Sequence, residues 1–109
     1  MEDRLSESDW KYLSQRLQPV ALDRFCRRAL ADLGRIAEDE ATGSHERYLA
    51  VFHLIEERDR ELASAFDDMR RSTAFWRLLR MRSLGLVTDE ELAGFSDETR
   101  GEILRLQKR

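Results

Sequence analysis

The chain has 109 residues, which is enough for one hydrophobic core, so we expect a single helical domain spanning 1–109. Charged residues make up 38% and apolar residues 41%, with one Pro and five Gly. This composition is typical of exposed amphipathic helices and not of β-sandwiches or disordered tracts. The formal net charge of -3 is too small to imply a nucleic-acid or membrane partner.

The sequence shows no targeting or membrane signal. The N-terminus is acidic and polar, without the basic start and apolar core of a secretory signal. The longest clearly apolar run, Tyr48 to Phe52, is far shorter than the roughly 20 residues that cross a bilayer. The lone cysteine, Cys26, cannot form an internal disulfide, and we expect it to act as a small hydrophobe on a helix face. A cytoplasmic location is therefore expected.

Two helices are predicted in the first 40 residues. Ser6 begins the first, since its hydroxyl can accept a hydrogen bond from the backbone N–H of Asp9. Pro19 lacks an N–H and suits the first turn of a helix, so it should end this helix and begin the next at a corner. The second helix, about 19–40, places apolar residues alternately four and three apart, namely Leu22, Cys26, Ala29, Leu33 and Ile36.

A third helix is predicted over about 45–71 by the same alternating spacing. Its apolar stripe contains Tyr48, Phe52, Ile55, Leu62, Phe66 and Met69. Asp59 falls in the middle of this stripe, where an apolar residue is expected, and is the most anomalous position in the chain.

The remaining chain predicts a helix over 74–83, closed by Gly85, and then a short C-terminal helical hairpin. Thr88 and Glu91 form a capping box for the first of its helices, and Ser96 begins the second. The fold class is therefore all-α, a single-domain bundle of about five or six helices, two of them long. The segment from Leu79 to Leu92, which ends in Gly85-Leu86-Val87-Thr88-Asp89-Glu90-Glu91-Leu92, resembles the core of SHOCT-type short C-terminal hairpins. Those hairpins continue with basic residues, whereas Ser96-Asp97-Glu98 follows here, and no family is assigned on this resemblance.

The charge of Asp59 has two interpretations. Arg82 also falls on the apolar side of its own helix, so a buried Asp59–Arg82 ion pair would satisfy both misfits. Arg27, Arg28 or solvent at a bundle end are the alternatives. In the functional interpretation, Asp59 is a desolvated carboxylate that exchanges protons in a small-ligand bundle or an enzyme.

The usual catalytic and cofactor patterns are missing from the sequence. His45 and His53 are eight apart and do not share a helix face, and no metal-binding motif is present. The glycines show no phosphate-loop or dinucleotide spacing, and neither His lies near Cys26 in sequence. We expect no metal, no cofactor and no catalytic residues, and therefore not an enzyme.

The helix over 74–83 is the predicted interaction surface. Large apolar and Arg side chains are the usual anchors of protein interfaces, and this helix carries Phe75, Trp76, Arg77, Leu79, Arg80 and Met81. A protein partner or a second copy of the chain is expected to bind there. In the second case, the acidic stretch 37–68 of one copy would face the Arg-rich stretch 69–88 of the other, which we call the Arg block. The alternative is that this helix lies centrally in the bundle.

Nucleic acid is the remaining alternative partner. Residues 69–88 contain Arg70, Arg71, Arg77, Arg80 and Arg82 and no acid, with aromatic residues between them. However, the helix that would enter a groove opens with Asp89-Glu90-Glu91, which would face phosphates with negative charge. The sequence therefore disfavours nucleic acid.

Overall fold

A computed structural model of the chain describes residues 4–107 and confirms the all-α bundle, with no strand among these residues. Its elements in chain order are α1 (Glu7–Lys11), a π-helical turn (Tyr12–Leu17), α2 (Gln18–Glu38), α3 (Ser44–Phe66), α4 (Ala74–Ser83), α5 (Asp89–Leu92) and α6 (Asp97–Gln107). None of the helices within residues 4–107 combines the length and the apolar character needed to cross a membrane.

The corner predicted at Pro19 does not end a helix. The helical backbone runs from α1 through the π turn into α2, and Leu17 and Gln18 keep right-handed helical angles. The Gln18 N–H donates to the carbonyl of Leu13, five residues back, which widens the turn before the proline. A wider turn accommodates Pro19 because its ring would otherwise press on the carbonyl four residues back. The prediction of separate helices here is wrong.

The third helix ends earlier than its stripe predicts, at Phe66 and not near Arg71. Asp68 adopts a φ of 54°, which breaks the helix, and its carbonyl accepts a hydrogen bond from the Thr73 hydroxyl at 2.6 Å. Arg77 of α4 donates to the carbonyls of Ser64 (3.0 Å) and Asp67 (2.8 Å), which a further helical turn would need for itself. Met69 then packs from the loop against the core.

The core lies at one end of the molecule. Its largest fully buried side chains come from the N-terminal residues, α4 and the C-terminal elements: Leu5, Leu13, Leu78, Met81, Leu86, Leu92 and Ile103. We call this part the body. From residue 26 to residue 64 no side chain is buried, so α2 and α3 continue beyond the body as a two-helix hairpin. The extents of 52 × 28 × 26 Å and radius of gyration of 16.6 Å, against about 13 Å for a compact chain of this length, reflect that projection.

The predicted caps of the C-terminal hairpin are confirmed. Gly85 closes α4 at a φ of 75°, and the Leu86 N–H donates back to the carbonyl of Met81 at 2.9 Å. Thr88 and Glu91 exchange both hydrogen bonds of the capping box, at 2.9 and 3.1 Å. Gly94, which follows α5, lies against the ring of Tyr12, whose hydroxyl donates to the Glu91 carbonyl at 2.8 Å.

The contact at Gly94 predicts opposite effects for two glycine substitutions. A Cβ at position 94 would lie 2.6 Å from the Tyr12 ring, so Gly94→Ala should displace that ring and lower the free energy of unfolding by about 1–3 kcal/mol. A Cβ at Gly101, within α6, meets nothing within 4 Å, so Gly101→Ala should raise it by about 0.5–1 kcal/mol. Urea unfolding of both variants measures the difference, and equal effects would contradict the packing at Tyr12.

Candidate functional site: the open face of the helical hairpin

The hairpin helices carry two parallel rows of side chains, and only one row on each helix faces the other helix. On α3 the half-buried row is Arg47, Val51, Leu54 and Arg58. The Arg58 guanidinium lies 3.6 Å from the Asp32 carboxylate of α2, and Arg47 donates to the Ala37 carbonyl at 2.7 Å. One residue further along α3, and so about 100° around it, lies the row that the sequence predicted as core.

That second row is exposed. We call the following residues the open face: Cys26, Leu30 and Leu33 of α2, and Tyr48, Phe52, Ile55 and Asp59 of α3. The exposed fractions are 67% for Leu30, 68% for Tyr48, 50% for Phe52 and 48% for Ile55. Since a Phe or Tyr side chain buries about 150–250 Å², these four leave on the order of 400 Å² of apolar surface in water. The largest apolar patch on a typical monomeric protein covers about 300–600 Å² and is often functional.

A groove of about 300 Å³ runs between the helices on this side, near the body. It is lined by Phe25, Cys26, Ala29, Leu30, Leu33, Ile55, Arg58, Asp59 and Leu62. Its wall is almost entirely apolar, and Asp59 is the one carboxylate among the lining residues. Cys26 is exposed here and does not lie in a core.

The predicted Asp59–Arg82 ion pair is wrong. Asp59 is an exposed residue of the hairpin, whereas Arg82 points into the C-terminal end of the molecule. The Arg82 guanidinium donates to the carbonyl of Val87 at 2.7 Å, to the amide of Gln107 at 3.1 Å and to the carboxylate of Asp89. Of the alternatives for Asp59, solvent is the one that the structure shows.

The opposite side of the hairpin is polar and is used to hold the body. Arg24 of α2 forms an ion pair with Glu91 of α5 at 2.9 Å and also donates to the Leu86 carbonyl. Arg28 donates to the Leu84 carbonyl at 3.4 Å. The hairpin is therefore amphipathic as a whole. One side is polar and contacts the body, and the other side is the open face.

The fourth helix occupies the central position that was the alternative to an interface. Phe75 and Met81 are buried, so the prediction that these two residues belong to an interaction surface is wrong. Arg77 donates to carbonyls at the end of α3, and Arg80 donates to the Ser64 hydroxyl at 2.9 Å. Leu79 is half-buried, which leaves Trp76, 51% exposed, as the accessible large side chain of the predicted surface.

The Arg block is engaged by the chain itself. Arg70 forms an ion pair with Asp68 at 2.7 Å, and Arg71 donates to the Leu5 carbonyl at 3.3 Å. With the contacts of Arg77, Arg80 and Arg82 described above, the whole block binds carbonyl, hydroxyl and carboxylate oxygens of this chain. Between residues 4 and 107, no three His, Cys, Asp or Glu side chains lie together as metal donors.

A buried carboxylate that the sequence did not single out joins the two ends of the chain. Asp9 of α1, 3% exposed, accepts hydrogen bonds from the Ser96 N–H (2.9 Å), the Ser96 hydroxyl (2.7 Å) and the Thr99 hydroxyl (2.7 Å) at the start of α6. Burial raises the pKa of Asp9, but these hydrogen bonds outweigh it and hold the pKa below its ordinary value. The hydrogen bonds from Arg24 likewise lower the pKa of Glu91.

Acid should therefore unfold the protein through these carboxylates. A carboxyl whose pKa is lowered on folding stabilises the fold above its unfolded pKa, and this contribution disappears as the pH falls through the folded pKa. We expect wild-type stability to drop between about pH 5 and pH 2, and Asp9→Asn to flatten that drop while costing about 2 kcal/mol at neutral pH. Thermal unfolding across this range is the measurement. Glu7→Gln, an exposed change in the same helix, is the control and should retain the wild-type pH dependence.

Comparisons of this chain with protein-family models, with curated proteins and with solved structures find no match.

Proposed function

We propose that the protein is a non-catalytic, cytoplasmic protein-binding module, regulatory or self-associating, that docks an apolar helical face onto the open face of its hairpin. One observation carries the proposal. Residues 26–64 form two long helices with apolar rows but without a single buried side chain. Amphipathic helices owe most of their stability to covering the apolar stripe, so a hairpin of this kind is suited to a covering partner.

The chemistry of the partner follows from the two helices. An apolar row spaced four and three residues apart, as in Tyr48, Phe52 and Ile55, receives a helix whose own apolar residues have the same spacing. Helix α3 carries five acids against three Arg, so basic residues along the flanks of the incoming helix would complement it.

Neither rival function has a comparable observation in its favour. A nucleic-acid interface would need the Arg block to reach phosphates, whereas those guanidinium groups donate to oxygens of the chain itself. A ligand-binding or catalytic role for Asp59 would be favoured by an enclosed cavity, whereas this carboxylate lies beside an open groove.

The docking surface can be tested with a synthetic probe, an amphipathic 20-residue peptide with Leu at four-three spacing and Lys elsewhere. We expect the labelled peptide to bind the wild-type protein and Phe52→Glu to weaken binding at least tenfold, since about 100 Å² of buried ring is worth roughly 2 kcal/mol. Fluorescence anisotropy measures the binding. Ile55→Glu, at a second position of the same row, should act like Phe52→Glu.

The matched control is Trp76→Glu, because Trp76 has the same exposed fraction as Phe52 but lies on α4 in the body. This variant should bind the probe like wild type. If it loses binding as much as Phe52→Glu does, or if the hairpin variants bind normally, the open face is not the docking surface. Circular dichroism checks that each variant keeps the helical fold.

A further inference from the structure

We propose that the occupant of the open face is a second copy of this chain. The two hairpins would stack face to face into a four-helix bundle in which α2 of each copy lies on α3 of the other. This inference rests on the proposed function, since it names the partner of that docking surface.

The paired rows on each helix are what a four-helix bundle requires. A helix in such a bundle contacts two neighbours and therefore needs two adjacent apolar rows. On α3 the half-buried row that includes Val51 and Leu54 faces α2 of the same chain, and the second row, through Phe52 and Ile55, has the same spacing but remains about half exposed. A two-fold interface is formed by the same surface of both subunits, and two copies of one hairpin present identical rows to each other.

The body leaves this face accessible to another copy. Arg24, which binds α5, and Leu33, which belongs to the open face, are nine residues apart on α2 and so point about 180° away from each other. The contact of Arg28 with the Leu84 carbonyl lies on the same side as Arg24. The C-terminal elements therefore pack against the side of α2 that faces away from the open face.

Charge selects how the copies are arranged. Helix α2 carries four Arg against three acids, whereas α3 carries five acids against three Arg. Arg24 and Arg28 lie on the back of α2, so the choice depends on α3: placing α3 on α3 would bring the two most acidic helices together, whereas placing α2 on the partner's α3 keeps them apart. This choice puts the two-fold axis parallel to the helices and both hairpin tips at the same end. The Arg block takes no part, because it is engaged within the chain.

The available area is of the right size for such a pair. A specific protein interface buries about 800 Å² on each partner, of which somewhat more than half is apolar. The four exposed side chains of the open face supply on the order of 400 Å² of apolar surface. The half-buried Leu33 and the polar flanks of both helices extend the contact around them.

The first experiment combines molar mass with the reactivity of the single thiol. Sedimentation equilibrium of the full chain from about 1 μM to about 1 mM should show the mass rising from one copy to two. Because Cys26 lies on the open face, its alkylation rate should fall at least about fivefold over the same range. Phe52→Glu should remain a single copy with fast alkylation at every concentration, and it supplies the reference rate if the wild type is already paired at the lowest concentration.

Trp76→Glu is again the matched control and should pair like wild type. A dimer in which Cys26 stays reactive, or one that Trp76→Glu disrupts and Phe52→Glu does not, would overturn the inference. A single copy at all concentrations would also overturn it. In that case, binding of the probe peptide decides whether the docking surface itself survives: binding that Phe52→Glu abolishes would retain it, and no binding would remove it as well.

The arrangement has its own test. In a Cys26→Ser background, Thr42→Cys in the loop between α2 and α3 carries a nitroxide label. Tips at the same end place the two labels within about 20 Å, since packed helices lie about 10 Å apart. Tips at opposite ends separate them by the length of the hairpin, about 30 Å or more. Electron spin resonance distances in the longer range would overturn the stacking of α2 on α3.

Discussion

Two helices packed side by side can cover only one row of side chains on each other, and the whole shape of this molecule depends on that constraint. In the body, α2 and α3 are joined by α4 and the C-terminal elements, and Phe25 and Phe66 are buried. Beyond the body nothing in residues 4–107 covers their second rows, so apolar residues such as Tyr48 and Leu30 remain in water. Because burial of apolar surface is the dominant favourable term in most protein association, we place the docking surface there.

The body holds the base of this hairpin by polar contacts across large sequence separations. Arg24 binds Glu91, the residue that also completes the capping box of α5, so one carboxylate stabilises both a helix start and the junction with α2. Asp9 joins α1 to the start of α6 in a similar way. The contacts of Arg24 and Arg28 lie on the back of α2, which leaves its apolar side to the open face.

Local signals in the sequence were sufficient for α4 and for the caps of the C-terminal hairpin, but they did not show which elements pack against each other. The limits of α4 and the stop at Gly85 were predictable because both depend on nearby residues. The stripe of Tyr48, Phe52 and Ile55 was recognised, yet periodicity shows only that a row is apolar and not which element covers it. Asp9 resembled an ordinary first-turn acid because its partner Ser96 lies 87 residues away. Asp59 appeared anomalous only because its row was assigned to the core.

The π turn before Pro19 also sets the angle at which the hairpin leaves the body. From Glu7 to Glu38 the backbone is one helical rod of about 48 Å. Because the wide turn holds one extra residue, each later side chain lies about 100° around the axis from its position in an uninterrupted α-helix of the same sequence. Converting Tyr12–Leu17 to an ordinary α-helical turn while keeping every residue would rotate the apolar rows of α2 by that angle relative to α1, whereas removing one residue would restore the α-helical turn without rotating them. The wide turn before Pro19 thus sets the direction in which the open face points relative to the folded body.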